Sequence, residues 1–115
     1  MVRVTVVIDG YGKLTELTVS GHALGLQKGG NIVCAAVTVL VRTAARMLEA
    51  VPGIQVSGGA AERGEFTLSV DSVDDNKVAL VKTVGDFLVQ GIGDLQSEFP
   101  EDCTLKVRQR RQHGS

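Results

Sequence analysis

Four valines and isoleucines alternate with other residues at the start of the chain: Val2, Val4, Val6 and Ile8 are separated by Arg3, Thr5 and Val7. That two-residue period predicts a strand with one face turned to a core. "DGYGK" follows and predicts a hairpin turn, since Asp-Gly tolerates the positive φ of tight turns. Leu14 to Ser20 returns as a second strand, with Leu17 and Val19 on one face. The period then changes. Val33, Ala36 or Val37, Leu40, Ala44, Leu48 and Val51 recur at steps of three and four, which predicts a helix from about Ile32 to Val51, stopped by Pro52–Gly53.

Ile54 to Ser57 and Glu65 to Val73 predict a second hairpin around "GGAAERG", with Phe66, Leu68 and Val70 inward. "DSVDDNK" supplies capping residues for a second helix, whose apolar positions are Val81, Val84, Leu88, Ile92, Leu95 and Phe99, closed by Pro100. Gly85, Gly91 and Gly93 each lower helix propensity by roughly 1 kcal/mol, so a kink near Gly91 to Gly93 is expected. Thr104 to Arg108 alternates again as a last strand. The order β-β-α-β-β-α-β, with two amphipathic helices, predicts the α+β class: a two-layer α/β sandwich, both helices on one face of a largely antiparallel sheet.

At 115 residues the chain is expected to be one domain, residues 1–115, with about 109–115 a flexible basic and polar tail. Twelve basic residues against thirteen acidic ones leave a net charge of −1, and the aromatics are only Tyr11, Phe66, Phe87 and Phe99. Direct nucleic-acid binding is therefore not expected from the whole-chain charge or from stacking. The longest apolar run, Ile32 to Val41, is about half of what spans a bilayer, and the N-terminus lacks the apolar core of a signal peptide. A cytoplasmic protein with no membrane partner and reduced cysteines is the expectation. Because Ile32 to Val41 is apolar nearly all round, beyond what one sheet needs, a second copy covering it is expected, making a homodimer.

Candidate chemistry concentrates in "SGHALGLQKGGNIVCAAVTVL", which holds one of the two histidines, His22, and one of the two cysteines, Cys34. Asn31 is a favourable helix cap, which would make Cys34 the third helical residue. In the first turn of a helix, unpaired N–H groups and the helix dipole favour a thiolate, as does a nearby imidazolium. His22 could then serve as base and as the acid for a leaving amine, with the N–H groups of Val33 and Cys34 holding an oxyanion. The residues alone leave two blander readings open, a small core cysteine and a surface histidine. Two ligands do not make a zinc site, and the glycines match neither a P-loop nor a dinucleotide fingerprint, so no metal or other cofactor is expected. Cys103 reads as structural and His113 as uninvolved.

"SGHA" at 20–23 followed by "GNIVCAAVTVL" at 30–40 resembles the signature of the bacterial ribosomal-processing cysteine proteases: Gly-His-Ala, a short loop, then Gly-x-Asp-Ile-Val-Cys-Ala-Ala-Val-Ser. The hairpin start and the late "FLVQGIGDLQSEFP" are also similar. The resemblance implies a dimeric cysteine endopeptidase that removes the N-terminal extension of a large-subunit ribosomal protein, number twenty-seven. It makes His22 the base, Cys34 the nucleophile, and Gly21 to Gly30 the loop that orders around substrate. The family's aspartate three residues before the cysteine is Asn31 here, and its serine after Cys-Ala-Ala-Val is Thr38. If the aspartate is a cap, asparagine replaces it at almost no cost. If it orients the histidine by charge, activity falls, and a pseudo-protease becomes the alternative. The other alternative is a non-catalytic, ribosome-associated module using the basic tail from Lys106 onward.

Overall fold

A computed structural model describes residues 1–21, 28–59 and 65–110, with only the backbone of 28–31. The elements are β1 (Val2–Ile8), β2 (Leu14–Ser20), α1 (Lys28–Glu49), β3 (Ile54–Gly59), β4 (Phe66–Val73), α2 (Val78–Glu98) and β5 (Cys103–Gln109). The expected order and α+β class hold. One five-stranded sheet runs β3-β4-β2-β1-β5, antiparallel throughout except for the parallel pair β1–β5.

The alternation in β1 does what it predicts. Val2, Val4 and Val6 are buried and lie opposite Cys103, Leu105 and Val107 on β5. Val4 and Val6 also face Val19 and Leu17 on β2. β2 breaks its own period, because Leu14 and Leu17 are three apart and yet both fully buried. The register between β1 and β2 shifts at Val7/Ile8, where Thr15 is the extra residue of a β-bulge. Its hydroxyl donates to the carbonyl of Val7 at 3.0 Å. The bulge returns Leu14 to the core side.

On this apolar side lie both helices, joined to it in one core through Val33, Val37, Val41, Ala44 and Leu48 of α1 and Val81, Val84, Leu88 and Ile92 of α2. Two of the glycines of α2, Gly85 and Gly91, mark its close approaches, and Gly93 has room. An added Cβ would lie 3.2 Å from Leu14 Cβ at Gly85, 3.3 Å from Leu40 Cδ1 at Gly91 and 3.9 Å from Leu105 Cδ2 at Gly93. α2 runs unbroken through Gly91 and Gly93 to Glu98. Packing holds the helix where propensity alone would loosen it.

Local chemistry departs from expectation at three further places. In the first turn the positive φ falls on Gly12, at +81°, not on Gly10. Asp9 organises that turn by accepting the N–H groups of Tyr11 and Lys13, each at 2.9 Å. No side chain of "DSVDDNK" caps α2. A 3-10 turn, Asp75–Lys77, leads into it instead, with the Lys77 N–H bonded to the Asp74 carbonyl at 2.8 Å. Finally, α1 begins at Lys28 and ends at Glu49, so Gly29 and Gly30 are helical. Once a helix is nucleated each added residue gains a hydrogen bond, and two glycines lower this gain without cancelling it.

Candidate active site

The earlier start of α1 changes the surroundings of Cys34. Asn31 is the fourth residue of the helix, not its cap, and Cys34 is the seventh. Only the first four N–H groups of a helix are unsatisfied. The N–H groups of Val33 and Cys34 therefore lie inside the hydrogen-bonded ladder, and the expected oxyanion hole built from them does not form in this conformation. Val33 is fully buried, as part of the core stripe.

Cys34 itself is a half-buried thiol packed against the edge of the core. It lies one position beyond buried Val33, and its i+4 row runs through half-buried Thr38 to exposed Arg42. This places Cys34 between the apolar stripe and the exposed side of α1. The Thr38 hydroxyl donates to the carbonyl of Cys34 at 2.7 Å. That side chain bonds back onto its own helix, a common use of threonine in helix interiors.

His22 and the loop that follows it, 22–27, lie outside the described residues. So do the tip of the second hairpin (60–64) and the tail 111–115 with His113. The residue before His22 is described and is informative. Gly21 ends β2 with φ +73°, and a Cβ there would run into the carbonyl oxygen of Met1 and lie 3.1 Å from Nη1 of Arg3. No side chain fits that position, and an L-residue would be strained in that conformation. The glycine of Gly-His is thus needed where β2 ends beside the N-terminus. The sequence marks the motif but not this reason for it.

Cys103 is buried at the start of β5, with its N–H bonded to the carbonyl of Phe99 at 3.0 Å. Burial, and secondarily the carboxylate of Asp102, raises its thiol pKa above the ordinary value, so it stays protonated. It is structural, not nucleophilic. Among the described residues no three His, Cys, Asp or Glu side chains cluster as a metal site, and no helix is long and apolar enough to cross a membrane.

The fold is thus a two-layer α+β domain whose first helix carries a half-buried cysteine at the edge of the core. The family model for cysteine protease Prp matches residues 1–104, and the chain belongs to that family. It is therefore a cysteine protease by descent. No curated protein matches it. Among solved structures it is similar to SMU.848 from Streptococcus mutans, with 25% identity, a TM-score of 0.81 and 96% of each chain covered. It is also similar in fold to the essential ribosomal processing protease Prp from S. aureus. With a substrate peptide bound, that structure gives 16% identity and a TM-score of 0.78, covering 94% of this chain and 100% of the other. The same protease with a covalently linked product peptide gives 17% and 0.76 over the same shares.

Proposed function

We propose that this chain is a cytoplasmic endopeptidase that removes the N-terminal extension of ribosomal protein number twenty-seven, with Cys34 as nucleophile and His22 as base. One observation carries the reading: in a chain of this family, Cys34 stands half-buried at the rim of the core stripe of α1, where a sulfur can be positioned and still be reached. The Cys34 thiolate attacks the scissile carbonyl carbon, and the C–N bond breaks as His22 protonates the departing amine. His22 then takes a proton from water, which attacks the thioester and releases the acid and the thiol. Gly21 directs the chain into His22. Asn31 stands three positions before Cys34 on the same helix.

The protein acts as a homodimer in this reading. Ile32 and Val39, seven apart on the outer side of α1, are 56% and 63% exposed, and Phe87 of α2 is 52% exposed. An apolar outer surface of this kind favours a partner. A monomer in analytical ultracentrifugation at tens of micromolar would remove that part.

The test of the activity is mass spectrometry of a peptide spanning the extension of the host's own ribosomal protein, incubated with wild type, Cys34→Ala, His22→Ala and Asn31→Asp. A single cut made by wild type and lost in the first two variants supports the dyad. A peptide that binds wild type uncut, and is cut by Asn31→Asp, makes the chain a pseudo-protease instead.

A further inference from the structure

The two helices cover one face of the sheet and leave the other open. The register puts Arg3, Thr5 and Val7 of β1 on that open face beside Thr104, Lys106 and Arg108 of β5. Ser20, Thr18 and Glu16 of β2 continue it, and Thr67 and Ser69 of β4 lie beyond. Arg3, Lys106 and Arg108 are exposed, as is Arg110 directly after β5. Among the described residues the ion pairs are Lys13–Asp9 and Lys82–Asp86, so none of these four cations has a carboxylate within 4.0 Å. Lys106 and Arg108 are two residues apart, about 6.7 Å along the strand, and Arg3, opposite Thr104 on the neighbouring strand, stands about 8 Å from Lys106.

Of the acids on this face, Asp102 stands just before β5, two residues before Thr104, and Glu16 and Asp71 stand towards β2 and β4. Glu16 lies opposite Val7, which lies opposite Arg108, so two strand spacings, about 9.6 Å, part Glu16 from Arg108. That is near the screening length at physiological salt. Asp71 accepts a hydrogen bond from Ser57 at 3.2 Å. Glu16 and Asp71 border a cleft of about 710 Å³ whose other side carries Arg108 and Arg110. The positive half of the face is therefore the β1–β5 half, a segregation that a net charge of −1 conceals.

We propose that the β1–β5 half of the open sheet face is an RNA-docking surface, on which Arg3, Lys106, Arg108 and Arg110 hold the phosphate backbone of a single strand. The observations favour RNA over a lipid surface. Between the cations are the hydroxyls of Thr5, Thr18 and Ser20, groups suited to phosphate and ribose oxygens, while that of Thr104 donates to Sδ of Met1 at 3.0 Å; the apolar side chain among them, Val7, is half-buried rather than projecting. There is no aromatic residue on the face for base stacking, so the contact is to backbone and indifferent to sequence. The proposal does not rest on the protease activity, since Cys34 is on the other layer; a catalytically dead protein would bind equally.

Fluorescence anisotropy of labelled oligouridylate, titrated with Cys34→Ala protein over a range of salt, tests it. Four phosphate contacts predict a slope of log K against log salt of about −3, at about −0.7 per contact. Lys106→Gln/Arg108→Gln is expected to halve that slope and weaken binding at least tenfold at low salt, with an unchanged melting temperature. Arg42→Gln/Arg46→Gln, on α1, is expected to leave binding unchanged, and Glu16→Gln to tighten it. Absence of RNA binding at low salt overturns the proposal. So does an unchanged slope in Lys106→Gln/Arg108→Gln, loss of binding in the α1 variant, or equal binding to polyglutamate or phosphatidylserine vesicles.

Discussion

Gly21 abuts the carbonyl oxygen of Met1 with φ +73°, and this contact fixes the end of β2 one residue before His22. Replacing it adds both a steric clash with backbone and the strain of an L-residue at positive φ, about 1–3 kcal/mol. Gly21→Ala is expected to lower the urea midpoint accordingly. Because the displacement falls one residue from His22, kcat for peptide cleavage is expected to drop well below what the unfolded fraction explains. Wild-type stability together with wild-type turnover would show that the gap at Met1 has room to open.

The two cysteines differ in kind, and reagents can show it. Cys34 is half-buried and Cys103 fully buried, so iodoacetamide at pH 8 is expected to label Cys34 in the folded protein and Cys103 only after denaturation. The raised pKa of Cys103 adds a pH dependence. Its folded value lies above the ordinary 9.0, so the folded state holds the proton that the unfolded chain would release. The stabilisation is fully present below about pH 9 and is lost as pH rises through the folded value. Chemical denaturation from pH 7 to 11 is expected to show a steeper alkaline decline for wild type than for Cys103→Ala. Matching declines would mean that other groups cause it.

How much of this was legible differs from element to element. β1 was, because its alternation is regular and its face is buried along its length. β2 was legible as a strand, but the role of Leu14 was not: the bulge at Thr15 exists only through pairing with Val7. The early start of α1 was missed because Gly29 and Gly30 read as loop, a preference of about 1 kcal/mol per residue that a 22-residue helix overrides. A cap at Asn31 depends on a helix start near Ile32, and the start at Lys28 puts Asn31 inside the helix instead. Sign segregation on the open face was invisible for a different reason. Arg3 and Lys106 are far apart in the chain and take diagonal positions on one face only through the parallel β1–β5 pairing.

That pairing has an exposed outer edge, and Gln96 closes part of it. Its Oε1 accepts the N–H of Leu105 at 2.7 Å, a donor that faces away from β1 and that no further strand would bond. Gln96→Leu leaves the N–H of half-buried Leu105 without this partner. The expected loss is about 1–2 kcal/mol, read by urea denaturation. Hydrogen exchange should locate the effect, with faster exchange at Leu105 than at Val4 on the neighbouring strand. Equal protection in wild type and variant would mean that the edge donor finds another acceptor.

The glycines of α2 give the sharpest comparison, because one helix contains both a spacious and a crowded position. A methyl at Gly93 would meet Leu105 Cδ2 at 3.9 Å, an ordinary contact, whereas at Gly85 it would lie 3.2 Å from Leu14 Cβ and 3.8 Å from its backbone nitrogen. Leu14 is fully buried and fixed by the bulge beside it, so it has nowhere to retreat. Alanine gains about 1 kcal/mol of helix propensity over glycine at either site. At position 93 that gain stands alone, and Gly93→Ala is expected to stabilise by up to about 1 kcal/mol. At position 85 overpacking of about 1–3 kcal/mol opposes it, and Gly85→Ala is expected to be net destabilising. Urea midpoints for the two variants should therefore move in opposite directions from wild type. If Gly85→Ala were the more stable of the pair, the close approach of α2 to β2 would not be what requires glycine there.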